Sequence, residues 1–373
     1  MSNPLSVSLS AATNNCPVRS FNEWDPLEEV IVGTLDGAVM PQSHITVTRT
    51  IPPLAAQLYR LFGGHRYPRI MVDAARRELD GFVRLLQSEG ILVKRPDPVD
   101  FTIRTQTPSW SSKGYCVACP RDGFLVVGDE IIETPMAWRS RYFEPHSFRR
   151  LFKDYFKQGA RWTATPRPEL SDDLFDYKWL PPKEGEPLRY MITEFEPVFD
   201  AADFVRCGRD LFGIRSNVTN AAGFEWLRRH LARDGYRVHE LQHQCRTAMH
   251  IDSTFVPLAP GKVLVNPDYL DPAKLPELFK SWDILVAPRP DPVPLSAWRF
   301  RVSQCSPWIS INVLMLDPKR VVVEASQKTL IAALRNWGFE PVPCPFLNYA
   351  PFGGSFHCAT LDIRRRGELE SYF

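Results

Sequence analysis

Cys358 closes the run Gly353-Gly354-Ser355-Phe356-His357-Cys358 near the C-terminus, where glycines let the backbone approach a ligand with no side chain between them. A thiol so placed is a candidate nucleophile. Nucleophilic sulfur needs a group to handle protons, a carboxylate to orient that group, and something to hold the substrate. Met249-His250-Ile251-Asp252 offers an imidazole and an acid two residues apart. Its apolar flanks and the following Thr254-Phe255-Val256 predict an extended segment, on which His250 and Asp252 face the same side. Phe199-Asp200-Ala201-Ala202-Asp203 adds two carboxylates among small apolar residues, where an unpaired charge is expensive to bury, so one of them is expected to have a fixed partner. Asp122, in Cys119-Pro120-Arg121-Asp122, supplies a further acid just ahead of a strand-like run at 124–128. Taken singly, these are ordinary residues: a core histidine, turn aspartates and a small buried thiol. As a set of one thiol, one imidazole and several acids, they point to a cationic substrate.

The elements that must position them recur. Five strand, helix and strand units follow one another: 29–33, 73–88 and 91–94; 124–127, 148–158 and 161–163; 210–212, 224–233 and 236–239; 262–265, 275–281 and 284–286; 320–323, 329–337 and 339–342. Gly90, Gly159, Gly235 and Gly338 stand where helices would stop. Each amphipathic helix needs a sheet to cover, which argues for repetition within one domain. A five-bladed α/β propeller accounts for the pattern, and an open α/β sheet accounts for much of it too.

Composition bounds the function. The chain has 373 residues, 44% of them apolar, enough for a substantial core, and a single domain over 1–373 with a flexible tail at residues 1–15 is expected. Its 45 basic and 43 acidic residues leave a net charge of +2, so no overall field draws it to nucleic acid or an anionic membrane. Arg364-Arg365-Arg366 is the one compact basic run and reads as solvated or ion-paired. Eight cysteines scattered through a long chain suit a reducing compartment, the cytoplasm, better than a disulfide framework. Cys116-Val117-Ala118-Cys119 lacks a second ligand pair at finger spacing and reads as core or site-lining thiols. No apolar run reaches membrane-spanning length, and no metal, nucleotide or flavin motif stands out, so chemistry without a cofactor is expected.

Collinear blocks along nearly the whole chain resemble the amidinotransferases of the glycine amidinotransferase type. They include Phe21-Asn22-Glu23-Trp24-Asp25-Pro26, Pro120-Arg121-Asp122, Trp138-Arg139-Ser140-Arg141, Thr193-Glu194-Phe195-Glu196-Pro197, Phe199-Asp200-Ala201-Ala202-Asp203, Met249-His250-Ile251-Asp252, Asn312-Val313-Leu314-Met315-Leu316-Asp317 and Phe356-His357-Cys358-Ala359-Thr360. Within that family, 280–288 and 352–357 are similar to natural-product enzymes of the saxitoxin-pathway type. The resemblance implies a pentein-type five-bladed α/β propeller with pseudo-fivefold symmetry and a homodimer. It also implies roles: Cys358 as the nucleophile that takes the amidino group of L-arginine, His250 as general acid and base, Asp200 as its orienting carboxylate, and Asp122 and Asp252 as guanidinium holders. Carboxylates suit that task, since a guanidinium presents planar N–H donors and delocalised charge.

The chain departs from the glycine-using pattern at two places. An arginine expected after Asn266-Pro267-Asp268 is Tyr269, a neutral phenol, and a pair of serines becomes Cys305-Ser306. Both changes weaken the grip on an amino-acid carboxylate, so the expected acceptor is an amine of a natural-product precursor instead of glycine. An arginine deiminase-like hydrolase would use the same cysteine logic and yield citrulline in place of ornithine. A non-catalytic guanidine-binding module would have no need of the nucleophile.

Overall fold

The computed structural model describes residues 16–294 and 302–373, and the tail expected at residues 1–15 lies outside them. Among the described residues are five three-stranded sheets and a two-stranded ribbon. Each three-stranded sheet follows one plan: an antiparallel pair, then a crossover that returns a third strand parallel to the second. In one unit Phe124–Val127 pairs with Glu130–Glu133, helix Arg149–Lys157 crosses over, and Arg161–Ala164 completes the sheet. The next has Phe204–Cys207, Asp210–Gly213, helix Ala221–Ala232 and Arg237–Glu240. Then come Phe255–Ala259, Lys262–Val265 and Asp283–Val286, followed by Leu314–Met315, Arg320–Glu324, helix Lys328–Asn336 and Glu340–Cys344. The remaining unit joins the two ends of the chain. Leu27–Val32 pairs antiparallel with Thr360–Arg365 and, after helix Arg69–Ser88, parallel with Leu92–Lys94.

The expected units are present, each with a strand that the periodicity did not separate: an inner, antiparallel one in four of them and, in the unit whose inner strand at 124–127 was expected, the central strand Glu130–Glu133. Strands Glu130–Glu133, Phe204–Cys207 and Phe255–Ala259 are buried at every residue, so they carry no alternation of exposed and buried positions to mark them. The helices are amphipathic as expected. Helix Arg69–Ser88 buries Met71, Ala75, Leu79, Phe82 and Leu86 along one stripe, and Gly90, Gly159, Gly235 and Gly338 follow their helices with φ between +78 and +100°. The helix expected over 275–281 is instead two 3₁₀ turns, Pro272–Lys274 and Glu277–Phe279. Pro272 and Pro276 lack the N–H that a continuous α-helix would use there.

Candidate active site

A turn precedes each inner strand, and the candidate residues sit on these turns. Asp122 stands just ahead of Phe124–Val127, Asp200 and Asp203 ahead of Phe204–Cys207, His250 and Asp252 ahead of Phe255–Ala259, Asn312 ahead of Leu314–Met315, and Cys358 ahead of Thr360–Arg365. One such position in each of five units thus delivers its side chain to one place. The expected extended segment at Met249–Asp252 does not form. His250 adopts φ +69°, a left-handed conformation rare for a residue with a side chain, and Ile251–Ser253 is a 3₁₀ turn. That kink, with the His250 N–H donated to Asp203 Oδ1 at 3.0 Å, aims both His250 and Asp252 at the sulfur.

Cys358 Sγ lies 3.2 Å from Asp252 Oδ2 and 3.3 Å from Asn312 Nδ2, while Asn312 Oδ1 accepts the backbone N–H groups of His357 and Cys358. His250 Nε2 is 3.0 Å from Asp200 Oδ2. Ligating atoms of Asp122, His250 and Cys358 all lie within 4.8 Å of one another, a spacing that could also hold a metal ion. Asp122 is gripped by Arg141 Nη1 at 2.6 Å, and Asp200 occupies one ring nitrogen of His250. Two buried oxygens, Asp122 Oδ1 and Asp200 Oδ1, have no hydrogen-bond donor among the described residues. Unsatisfied carboxylate oxygens in a buried site call for a cation that brings N–H donors.

The electrostatics are set for proton transfer. Burial works against the charged form of His250, but Asp122, Asp200 and the Cys358 thiol prevail and hold its pKa well above 6.5. Contact with the Cys119 thiol and burial push the Cys358 thiol well above its ordinary value, with Asp252 and Asp122 adding to this against the hydrogen bond with His250. Burial also lifts Asp122, whereas for Asp252 it is outweighed by His357 and the net shift is downward. Both shifts favour the imidazolium of His250 and the neutral thiol of Cys358.

A cavity open in part to solvent reaches this centre. His250, Asp252 and Cys358 line it together with Tyr269, Cys305 and Ser306, so all three residues singled out at the departures share a cavity with the Cys358 sulfur. The Tyr269 hydroxyl donates to Ser306 Oγ at 3.3 Å. Asp122 and Asp200, both beside His250, do not line the cavity wall. Four contributors carried no role in the sequence reading: Arg141, Asn312, Asp203 and His357. Each lies inside a block quoted above, but nothing in the spacing tells that Arg141 must neutralise Asp122 or that Asn312 must hold Cys358.

No family model matches the chain. The L-arginine:L-lysine amidinotransferase of Pseudomonas savastanoi pv. phaseolicola is 48% identical over 95% of this chain and 96% of its own length. The chain belongs to the amidinotransferase family. The mitochondrial glycine amidinotransferase of Gallus gallus is 45% identical over 98% of this amidinotransferase and 86% of its own length. Among solved structures, an amidinotransferase of the saxitoxin biosynthetic pathway from Microseira wollei superimposes with a TM-score of 0.92 at 53% identity, covering 96% of this chain and all of that one. A dimethylarginine dimethylaminohydrolase, at 13% identity and a TM-score of 0.56, shares the fold, which is consistent with the pentein class for this amidinotransferase.

Proposed function

We propose that this enzyme moves the amidino group of L-arginine to an acceptor amine through a covalent adduct on Cys358, releasing L-ornithine. The observation that carries the reading is the constellation itself: a thiol beside an imidazole, ringed by buried carboxylates of which two lack a donor among the described residues. A guanidinium would bring N–H donors to such carboxylates, with Asp252, on the cavity wall, and Asp122, next to His250, as its holders. Its charge also changes the sulfur, because a cation arriving among acids favours the thiolate that burial and Asp252 oppose, the thiol's proton leaving to solvent through the open cavity. The thiolate attacks the guanidinium carbon and a C–S bond forms. His250 gives its proton to the departing nitrogen, the C–N bond breaks, and ornithine leaves an amidino group on sulfur. The acceptor amine then attacks that carbon, passes a proton to the now neutral His250, and expels Cys358. Asp200 keeps the imidazole oriented throughout.

The acceptor follows from the cavity wall. Its described lining includes Tyr269, Cys305 and Ser306 and no arginine or lysine, which supports an amine without a glycine-like carboxylate, such as a natural-product precursor. We further read the five units as blades of one propeller over 1–373, since the last strand completes the sheet begun by the first. All eight cysteines are free, which suits a reducing cytoplasm, and among the described residues no helix is long and apolar enough to cross a membrane. A homodimer is the expected assembly, to be tested by light scattering.

The decisive experiment is intact-protein mass after mixing enzyme with arginine and no acceptor. An adduct of about 42 Da on Cys358 with release of ornithine supports the transfer. Citrulline accumulating with no adduct would replace it with hydrolysis.

A further inference from the structure

A second histidine lies behind Asp252, and the transfer as drawn gives it no task. His357 Nδ1 is 2.9 Å from Asp252 Oδ2 and its Nε2 is 3.3 Å from Glu23 Oε2. Asp252 Oδ2 is the same oxygen that meets the Cys358 sulfur. A neutral imidazole carries one N–H, so it would turn a bare lone pair toward one of the two carboxylates. Only the imidazolium donates to both.

The groups facing this pair agree. Glu23 is gripped by Arg206 through Nε and Nη2, each at 2.8 Å, and Arg121 Nη1 lies 3.6 Å away, so Glu23 has every reason to stay ionised. Arg121 also donates from Nε to the His357 carbonyl at 3.3 Å, and its charge works against the imidazolium. Asp252 faces His250 and Cys358 on its other side. Burial opposes the charged ring as well, yet with Asp252 and Glu23 on its two nitrogens the His357 pKa comes out raised.

We infer that His357 is a positioning residue, held as an imidazolium between Asp252 and Glu23, and that this fixed cation keeps Asp252 an anion beside the Cys358 thiol. Asp252 therefore meets an arriving guanidinium already charged; that consequence rests on the proposed donor, whereas the charge pair does not. Without the cation, the Asp252 carboxyl and the Cys358 thiol both titrate at higher pH.

Three readouts test it. In wild-type enzyme labelled with ¹⁵N-histidine, the His357 ring nitrogens are expected to keep doubly protonated shifts through pH 7.5, whereas a neutral tautomer at pH 7 would overturn the inference with no variant needed. In His357→Asn and His357→Gln, the acid limb of kcat/KM for ornithine release should move up by about one pH unit. Activity scaled down with an unmoved limb would mean packing alone. The pH curve for alkylation of Cys358 by iodoacetamide, read by peptide mass, should shift upward by a similar amount, and an unshifted curve refutes the role. If wild type releases no ornithine, the proposed function falls, while the nitrogen shifts and the alkylation curve still decide for or against His357.

Discussion

Two histidines flank Cys358, and their surroundings are built differently. His250 stands on a left-handed backbone between Asp200 and Asp122, each with one buried oxygen lacking a donor among the described residues. His357 stands between Asp252 and Glu23, and behind Glu23 lies a dense network. Asp362 accepts from Arg121 at 2.7 Å, Arg206 at 3.0 Å and Arg365 at 2.7 Å, and Arg206 also bonds Ser20 and Glu23. No carboxylate oxygen of Glu23 or Asp362 is left without a partner. Strain and unmet hydrogen bonds persist only where the rest of the fold enforces them, and a substrate cation can discharge them. The His250 side is therefore equipped to change its state, and the His357 side to hold the other in place.

The largest effect that would break this division is on the sulfur both sides share. Cys358→Ala should lower ornithine release by at least about a thousandfold and abolish the adduct, since the nucleophile is gone. Its urea midpoint should barely move, because Asn312 still receives the backbone N–H groups of His357 and the mutated residue. Adduct formation in that variant would place the nucleophile elsewhere.

Next come two charge changes on opposite sides. Arg206→Met leaves Glu23 and Asp362 buried with fewer cations, and breaking such a network costs about 3–5 kcal/mol, to be read from urea unfolding. Asp200→Asn keeps the shape and a polar contact to His250 but removes the charge. It should cut kcat by about a hundredfold or more while costing under about 1 kcal/mol of stability. If Asp200→Asn unfolds the protein as readily as Arg206→Met, the two regions are not different in kind.

A smaller effect separates them by pH. His250 and His357 both have raised pKa values in the fold, so the stability they supply is complete below the unfolded value of about 6.5 and is lost as pH rises through the folded values. The unfolding free energy should decline from pH 6.5 to 9. Asp200→Asn, which removes one of the charges holding His250 protonated, should flatten that decline, and an unchanged slope would mean that His357 alone carries it.

The residues that gather in the first region were legible in the sequence, and the second region was largely not. Cys358, His250, Asp200, Asp122 and Asp252 are residue types with few rivals for nucleophile, proton shuttle and cation holder, and the structure brings all five together. Their backbone was misread at one point: Met249–Asp252 looks extended because its side chains are apolar and alternate, but the Asp203 carboxylate captures the His250 N–H and bends the chain. Strands such as Glu130–Glu133 and Phe204–Cys207 escaped because burial on both faces erases periodicity. Gly128, Gly208 and Gly261, with φ between +61 and +73°, were the available hairpin signal. Arg206 and Arg121 could not be placed, since a buried arginine in a run such as Phe204-Val205-Arg206-Cys207 is recognised only from partners far away in the chain.

The smallest change should fall outside both regions, on the acceptor's wall. Tyr269 is half-buried, its hydroxyl bonded to Ser306, and Cys305 stands beside that serine with its sulfur toward the Ala350 carbonyl at 3.6 Å. Neither touches His250, Asp252 or Glu23 through a described hydrogen bond. Tyr269→Arg combined with Cys305→Ser would add a cation and a hydroxyl where a carboxylate could dock, and a charge-assisted bond at such a site is worth about 1.5–3 kcal/mol. Glycine turnover should therefore rise about tenfold or more, with the rate of adduct formation from arginine, read by rapid-quench mass spectrometry, within about threefold of wild type. A matching loss in the arginine step would show that this wall also holds the donor, and that acceptor choice cannot be moved independently of the two histidines.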